Sequence, residues 1–488
     1  MSRSFLIGKT PARALIVVAL LQLSSIAICP KNAHPQSNRE NQIVSAPVGL
    51  LNKVFSRAPI AGQMIVKANP TLDQSLLASL KKKNKGKAVT NKQLSAALVK
   101  ALNVSSVERL PFGMLKVKAK KEKKGYNTKS LTKLKNSGLV EYFQSNYKIY
   151  VFGDSNDLFY SLGFQWGLNS AGGFFGKQNV DIDAPEAWEI ENGSSNEVVV
   201  AVIDTGIDYT HPDLADNMWK NPGEIAGNGV DDDGNGFVDD VYGYDFVNND
   251  GDPKDDMFHG THCAGIIGAV GGNSRGVSGV VPHVKLMALK ILNGKGEGDT
   301  ANAVKAIDYI IKLRQRGVNV RVMNASFGGG EQLQAFEDAL RAANTAGIMF
   351  IVAAGNSATD NDKSPVYPAN YRLPNLVSVA AIDSSGKLAS FSNFGATTVD
   401  IAAPGSGILS TVVYGFYFPF DGTSMAAPFV SGVAALVAAS QPELTPIDIR
   451  TRILNSAKPI STLAGKIVSP GLVSAYHALT NTVGEQIQ

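Results

Sequence analysis

Cysteine is nearly absent from this chain of 488 residues: only Cys29 and Cys263 occur. Cys29 falls beside an expected signal cleavage point, so the mature chain would carry no internal disulfide. Tight packing and bound ions are left to stabilise it. No internal repeat or low-complexity tract is present, which excludes solenoid and fibrous architectures. Outside the N-terminal run Ala14–Leu23, no apolar stretch approaches the length of a membrane span. Basic and aromatic residues do not interleave, so nothing indicates a nucleic-acid platform. Charge is modest, at 18% of residues, and glycine is plentiful, at 48. That balance is ordinary for a globular protein of two or three domains with a sizeable core.

What charge there is lies unevenly. Residues 1–150 hold 26 Lys+Arg and 5 Asp+Glu; residues 151–488 hold 20 and 37. The net +4 hides a basic first half and an acidic second half, and each is a ready partner for the other. Arg3, Lys9 and Arg13 precede the apolar run, and Ser25-Ile-Ala27 offers small residues where a signal peptidase cuts. Residues 1–27 are therefore expected to be an export signal.

Residues 28–59 read as a polar, proline-bearing connector. From about 60 to 150 the pattern is a small α+β module. Gln63–Lys67 alternates like a strand, Thr71–Leu80 and Asn91–Leu102 are helical, and Val107–Lys118 is a strand or hairpin. Thr128–Asn136 is a helix and Val140–Tyr150 a last strand. From 151 onward, short apolar runs alternate with helical patterns. Strands are expected at Val198–Ile203, Val284–Leu289, Val320–Asn324, Ile348–Ala353, Val377–Ala381 and Val399–Ala402. Helices are expected at His259–Val270, Thr300–Arg316, Gln332–Ala346, Met425–Ala439 and Pro446–Ser456. Such alternation predicts an α/β fold, a doubly wound, mainly parallel sheet covered by helices on both faces.

Four polar residues fall where an open α/β sheet builds sites, at strand ends and helix starts. Asp204 closes a strand and His259 opens a helix of small residues. Asn356 follows a strand end, and Ser424 sits at the first turn of a buried apolar helix. There the unpaired N–H groups favour negative charge, and Pro428 falls early enough to be tolerated. No Glu lies between His259 and His262, which excludes the zinc-protease motif, and His262 reads as a packed histidine. The order Asp…His…Ser excludes the α/β-hydrolase and chymotrypsin orders, and no G-x-S-x-G elbow surrounds Ser424.

Five motifs together carry a resemblance. They are Val202-Ile-Asp-Thr-Gly-Ile-Asp208 with His211-Pro-Asp213, His259-Gly-Thr-His-Cys-Ala-Gly265, Asn324-Ala-Ser-Phe-Gly328, Ala353-Ala-Gly-Asn356 and Gly422-Thr-Ser-Met-Ala-Ala-Pro428. In this order they resemble the subtilisin family of serine peptidases, over roughly 156–480. The resemblance implies a serine endopeptidase acting on protein and peptide substrates, with Ser424 as nucleophile, His259 as base and Asp204 as its orienting acid. The Asn356 side chain and the Ser424 N–H would bind the oxyanion. Ser326, Phe327, Gly328, Ala353, Ala354 and Gly355 would wall the pocket for the residue before the cut, with Val366 at its floor. A preference there for small or medium residues follows. Residues 151–488 would form the peptidase domain.

Calcium is the expected cofactor. Asp231, Asp233, Asn235 and Asp239 have the alternating oxygen spacing of a calcium loop, with Gly236 at the turn. The position of a terminal EF-hand Glu holds Tyr242 instead. By resemblance, Asp213 and Asn273, with the carbonyls of Val270, Arg275 and Val277, match a second calcium site, and Asp157 an N-terminal ligand. Residues 60–150 resemble the family's prodomain, an intramolecular chaperone and inhibitor whose last strand leads into the active site. A secreted monomer is expected, with no span left after signal removal.

Overall fold

The computed structural model describes residues 59–85, 87–110, 114–122, 125–126, 129–147, 155–172, 176–329 and 331–487. The expected signal, and the connector up to residue 58, lie outside these residues. Two compact units part near residue 151, where the composition changes.

The first unit is an antiparallel sheet of β1 (Pro59–Ala68), β2 (Val104–Leu110), β3 (Met114–Ala119) and β4 (Val140–Tyr147), in the order β2-β3-β1-β4. It carries α1 (Pro70–Lys83), α2 (Asn91–Leu102) and α3 (Lys129–Asn136). Thr90 and Gln93 form a reciprocal capping box at the start of α2, which answers two of its orphan N–H groups. Val66, Leu98, Leu102, Leu115, Val117, Leu131 and Val140 close the core.

The second unit is built on one nine-stranded sheet. Its strands are β5 (Val199–Asp204), β6 (Gly243–Asp245), β7 (Lys285–Lys290), β8 (Val320–Ala325), β9 (Met349–Ala353), β10 (Leu376–Ile382) and β11 (Ile401–Pro404), then β14 (Lys458–Pro459) and β15 (Gly471–Leu472). The order is β14-β15-β11-β10-β9-β8-β5-β7-β6, and every pairing but β14–β15 is parallel. β5 shows why. All six of its residues are buried. Val200 and Val202 join the core layer under α4 (His259–Gly268) and α7 (Thr423–Ser440). Val199, Ala201 and Ile203 join the layer under α5 (Thr300–Gln315) and α6 (Gln334–Thr345). A strand apolar on both faces needs helices on both sides. The doubly wound expectation holds, and each expected strand and helix of this unit forms within two residues of its expected ends.

Two features differ from the sequence reading. The hairpin β12 (Ile408–Val412) and β13 (Phe416–Phe420) was not expected; among the described residues its two strands form a sheet of their own, outside the main sheet. Pro428 is the sixth residue of α7, past the first-turn positions where a missing N–H costs nothing. The Ser424 carbonyl, its natural helical partner, is therefore free to serve the site. α7 is apolar enough by composition to cross a membrane, but it lies buried between the sheet and α4.

Candidate active site

The site assembles at the carboxyl ends of β5, β8 and β9. Asp204 ends β5, fully buried, and its Oδ1 accepts from His259 Nδ1 at 2.7 Å and from Thr205 N at 2.8 Å. With Nδ1 held by a carboxylate, Nε2 is the nitrogen left to take a proton. Burial pulls the His259 pKa down, but the Asp204 charge and hydrogen bond, helped by Asp255, outweigh it and raise it above the ordinary 6.5.

Asp255, which the sequence reading did not single out, braces this pair. Its carboxylate accepts from Thr205 Oγ1, Met257 N, Phe258 N, Thr261 N and Thr261 Oγ1. Thr205 Oγ1 in turn accepts from Gly260 N at 2.9 Å. The strand end carrying Asp204 and the helix start carrying His259 are thus clamped through one buried acid. Gly260 is needed because a Cβ there would lie 2.1 Å from the Gly206 carbonyl. Asp255 lies four residues before His259, at a loop–helix junction; only that position could have pointed to it.

Ser424 is the second residue of α7, so its own N–H is an unpaired first-turn donor. Its Oγ donates to the Ser326 carbonyl at 3.1 Å. No hydrogen bond joins it to His259 in this arrangement, as is common before substrate tightens a site. The Ser424 carbonyl released by Pro428 accepts from Ser326 Oγ at 2.8 Å and from the Cys263 thiol at 3.4 Å. Asn324 donates to Ser326 Oγ and accepts from Ser431, so a buried polar chain links β8 to two turns of α7, at Ser424 and at Ser431. Burial pushes the Cys263 thiol well up, which keeps it protonated and unreactive beside the pair.

Asn356 follows β9. Its Oδ1 accepts from Thr423 N at 2.8 Å and Thr423 Oγ1 at 2.9 Å. That fixes the amide: Nδ2 is the end left to donate. Thr423 Oγ1 also accepts from Gly355 N at 3.1 Å, which locks the turn that presents Asn356. His262 is buried, donates Nε2 to the Phe418 carbonyl at 2.9 Å, and is lowered by burial to about 3. It is the neutral, packed histidine expected.

Ser326, Phe327 and Gly328 leave β8 as an unpaired segment, and Ala353, Ala354 and Gly355 leave β9 beside it. Val366 lies opposite: a Cβ built on Gly328 would be 3.6 Å from its Cγ1. The residues named for the pocket are therefore neighbours.

The acidic residues fall into two groups. Asp157 and Asp213 are fully buried, and burial raises both carboxyls, with the Asp157 charge adding to the rise at Asp213. Their partners are neutral: the N–H groups of Gly272, Asn273 and Val277, Asn273 Nδ2, the Ser155 hydroxyl on Asp157 and the Tyr417 hydroxyl on Asp213. Among the described residues neither has an ion pair with a basic side chain. The loop holding Val270, Arg275 and Val277 wraps them, and the Val270 N–H donates to the Asp213 carbonyl.

In the insert the structure groups the acids differently from the expected alternation. Asp231 caps the N–H groups of Asn235 and Gly236, and Asp239 those of Gly227, Asn228 and Gly229. Asp233 instead clusters with Glu224 and Asp240. Asn235 Nδ2 bridges Asp233 and Asp240. Burial lifts Asp240 to about 6. Glu224 lies seven residues before Asp231, and no local spacing marks it.

The model of the subtilase family matches residues 195–484. Subtilisin-like protease 1 of Plasmodium berghei is 34% identical over 78% of this chain, which spans 61% of that protein's length. The thermophilic serine proteinase of Bacillus sp. (strain AK1) is 36% identical, covering 71% of this chain and 74% of its own. Thermitase of Thermoactinomyces vulgaris is 36% identical over 61% of this chain and 93% of its own. A solved protease of Pseudoalteromonas arctica superposes with a TM-score of 0.53 at 28% identity, covering 67% of this chain and 99% of its own.

Proposed function

The chain belongs to the subtilase family of serine endopeptidases, and from that premise we propose a secreted, calcium-stabilised enzyme made as a self-processing zymogen. The observation that carries the chemistry is the 2.7 Å pair of His259 Nδ1 and the buried Asp204, with Ser424 and Asn356 at neighbouring element ends.

Ser424 Oγ turns from the Ser326 carbonyl to His259 Nε2, gives up its proton and attacks the scissile carbonyl. Asp204 holds the imidazole in the right tautomer and stabilises its cation. The oxyanion is met by Asn356 Nδ2 and the Ser424 N–H, both free to donate and set at the positive end of α7. His259 then protonates the leaving amine, and water repeats the sequence on the acyl-enzyme.

Substrate binds extended along Ser326–Gly328, on one side, and a second edge near Glu297-Gly298, on the other, by backbone hydrogen bonds that tolerate many sequences. Val366 opposite Gly328 favours a small or medium residue before the cut. Comparable cleavage after Phe and after Ala would sink that specificity.

Asp157 and Asp213 fit a calcium ion: two buried, mutually repelling carboxylates with only neutral partners need a cation to stay ionised. Asn273 and the carbonyls of Val270, Arg275 and Val277 would complete that site. Glu224, Asp233 and Asp240, with Asn235, fit a second ion in the insert. In both places the metal would pin loops and take no part in the chemistry.

The basic residues 28–150 and the acidic residues 151–488 are complementary, which suits an intramolecular inhibitor that docks, is cut and leaves. A serine-directed phosphonate should label Ser424 in the processed protein. Ser424→Ala should accumulate as full-length precursor; normal processing of that variant would assign the cut to another protease.

A further inference from the structure

Three phenylalanines flank the catalytic base, and nothing in the reaction above uses them. Phe258 immediately precedes His259 and is 40% exposed; Phe418, on the hairpin strand β13, is 39% exposed. Phe420 lies between them, with ring centroids 5.3 Å from Phe258 and 5.6 Å from Phe418. Rings of that size in the open at a catalytic base cost solvation unless something covers them.

They are also held rigidly. Phe420 stacks on His262 at 4.4 Å, and His262 Nε2 binds the Phe418 carbonyl. Ser410 Oγ and Thr411 Oγ1 tie the other hairpin strand to the His262 and Thr261 carbonyls of α4. Gly265 makes room for those hydroxyls, since a Cβ there would lie 2.2 Å from Thr411 Oγ1. Phe258 itself sits at φ 138°, a conformation a non-glycine residue rarely adopts, with its N–H fixed on Asp255.

The side these rings occupy follows from the chemistry. His259 delivers its proton to the leaving amine, so the chain beyond the scissile bond passes His259. The pocket at Gly328 and Val366 belongs to the residue before the bond. We propose that Phe258, Phe420 and Phe418 form an apolar shelf that selects large apolar or aromatic side chains just after the scissile bond. This rests on the peptidase reading and deepens it. The occupant is the leaving segment of the polypeptide substrate, because the shelf is continuous with the catalytic base.

The test uses active enzyme produced from the full chain, acylated by a peptide methyl ester. Ester attack releases methanol and leaves the acyl group on Ser424. An added amino-acid amide then competes with water: its amine forms the new amide bond as the acyl–Oγ ester bond breaks, and the one proton it loses passes through His259 to Ser424 Oγ. Phenylalanine amide should capture the acyl-enzyme roughly tenfold better than glycine amide, the worth of about one good aromatic contact. Phe418→Ala and Phe258→Ala should each reduce that ratio severalfold, and Phe258→Leu should retain most of it. Equal capture by the two amides in the native enzyme, or an unchanged ratio in Phe418→Ala, overturns the shelf. If the native enzyme does not hydrolyse the ester at all, it is the peptidase reading that falls.

Discussion

Replacing Thr423 by valine tests the proposal that Asn356, held by Thr423, donates to the oxyanion. Valine keeps the shape of this fully buried residue and removes only the hydroxyl. Two hydrogen bonds go with it: the 2.9 Å bond to Asn356 Oδ1 and the 3.1 Å bond from Gly355 N. Asn356 keeps the Thr423 N–H at 2.8 Å, so Nδ2 stays in place but half its clamp is gone. In a subtilisin, losing one oxyanion donor outright costs about 10²–10³ in kcat. A loosened donor should cost about the net worth of one hydrogen bond, about 1 kcal/mol, or roughly fivefold in kcat.

KM should stay near the native value, because the interaction strengthens only as charge develops on the oxygen. The orphaned Gly355 N–H should lower stability by about 1–3 kcal/mol, seen separately in denaturant unfolding. The assay is steady-state hydrolysis of a peptide p-nitroanilide, with active sites titrated so that misfolded protein does not count as lost kcat. Thr423→Ser, which restores the hydroxyl, should recover the rate. A native kcat in Thr423→Val, or a raised KM with kcat intact, would refute the reasoning and leave Thr423 as packing alone.

Other outcomes rest on the same geometry. His259 must be neutral to act as a base, and its pKa is raised above 6.5 chiefly by Asp204 against the pull of burial; kcat/KM should therefore fall as pH drops through a midpoint above 6.5. Asp204→Asn should lower kcat by about 10⁴ at neutral pH, read on the same substrate. Chelating calcium should lower the thermal unfolding midpoint by about 5–10 °C, the scale of an ion bound about a hundredfold above its Kd, while initial rates at low temperature hold. An unchanged midpoint in both EGTA-treated protein and Asp213→Asn would count against the ion. Gly260→Ala should disable the enzyme more than it destabilises it, because the added methyl pushes His259's helix off the Gly206 carbonyl; equal kcat in a folded variant would show that the clamp tolerates movement.

Much of the fold was legible because its signals are local. β5 and its parallel neighbours declared themselves as short apolar runs, and α7 as a long one behind a serine. The register that sets Asp204 opposite Lys290, or Ala325 opposite Val352, was not written in any one run. The β12–β13 hairpin was missed because Pro419 interrupts the strand signal of Phe416–Phe420, and the ribbon lies apart from the main sheet. The module before residue 150 was legible as α+β for the same local reason: its helices announce their caps, as at Thr90 and Gln93.

The site divides along the same line. Sequence by itself singled out the candidate residues, since Asp204, His259, Asn356 and Ser424 each stand in a short motif at the end of a strand or the start of a helix. Tertiary structure alone decided how they are held. Asp255 joins Thr205 to Thr261, Ser326 takes the carbonyl that Pro428 frees, and Asp233 leaves its own loop's alternation to meet Glu224 and Asp240. Periodicity, caps and turns act over a few residues and can be read along the chain. Partnerships between Ser326 and Ser424 or Thr205 and Asp255 depend on packing that brings distant segments within 3 Å, and no local pattern encodes that.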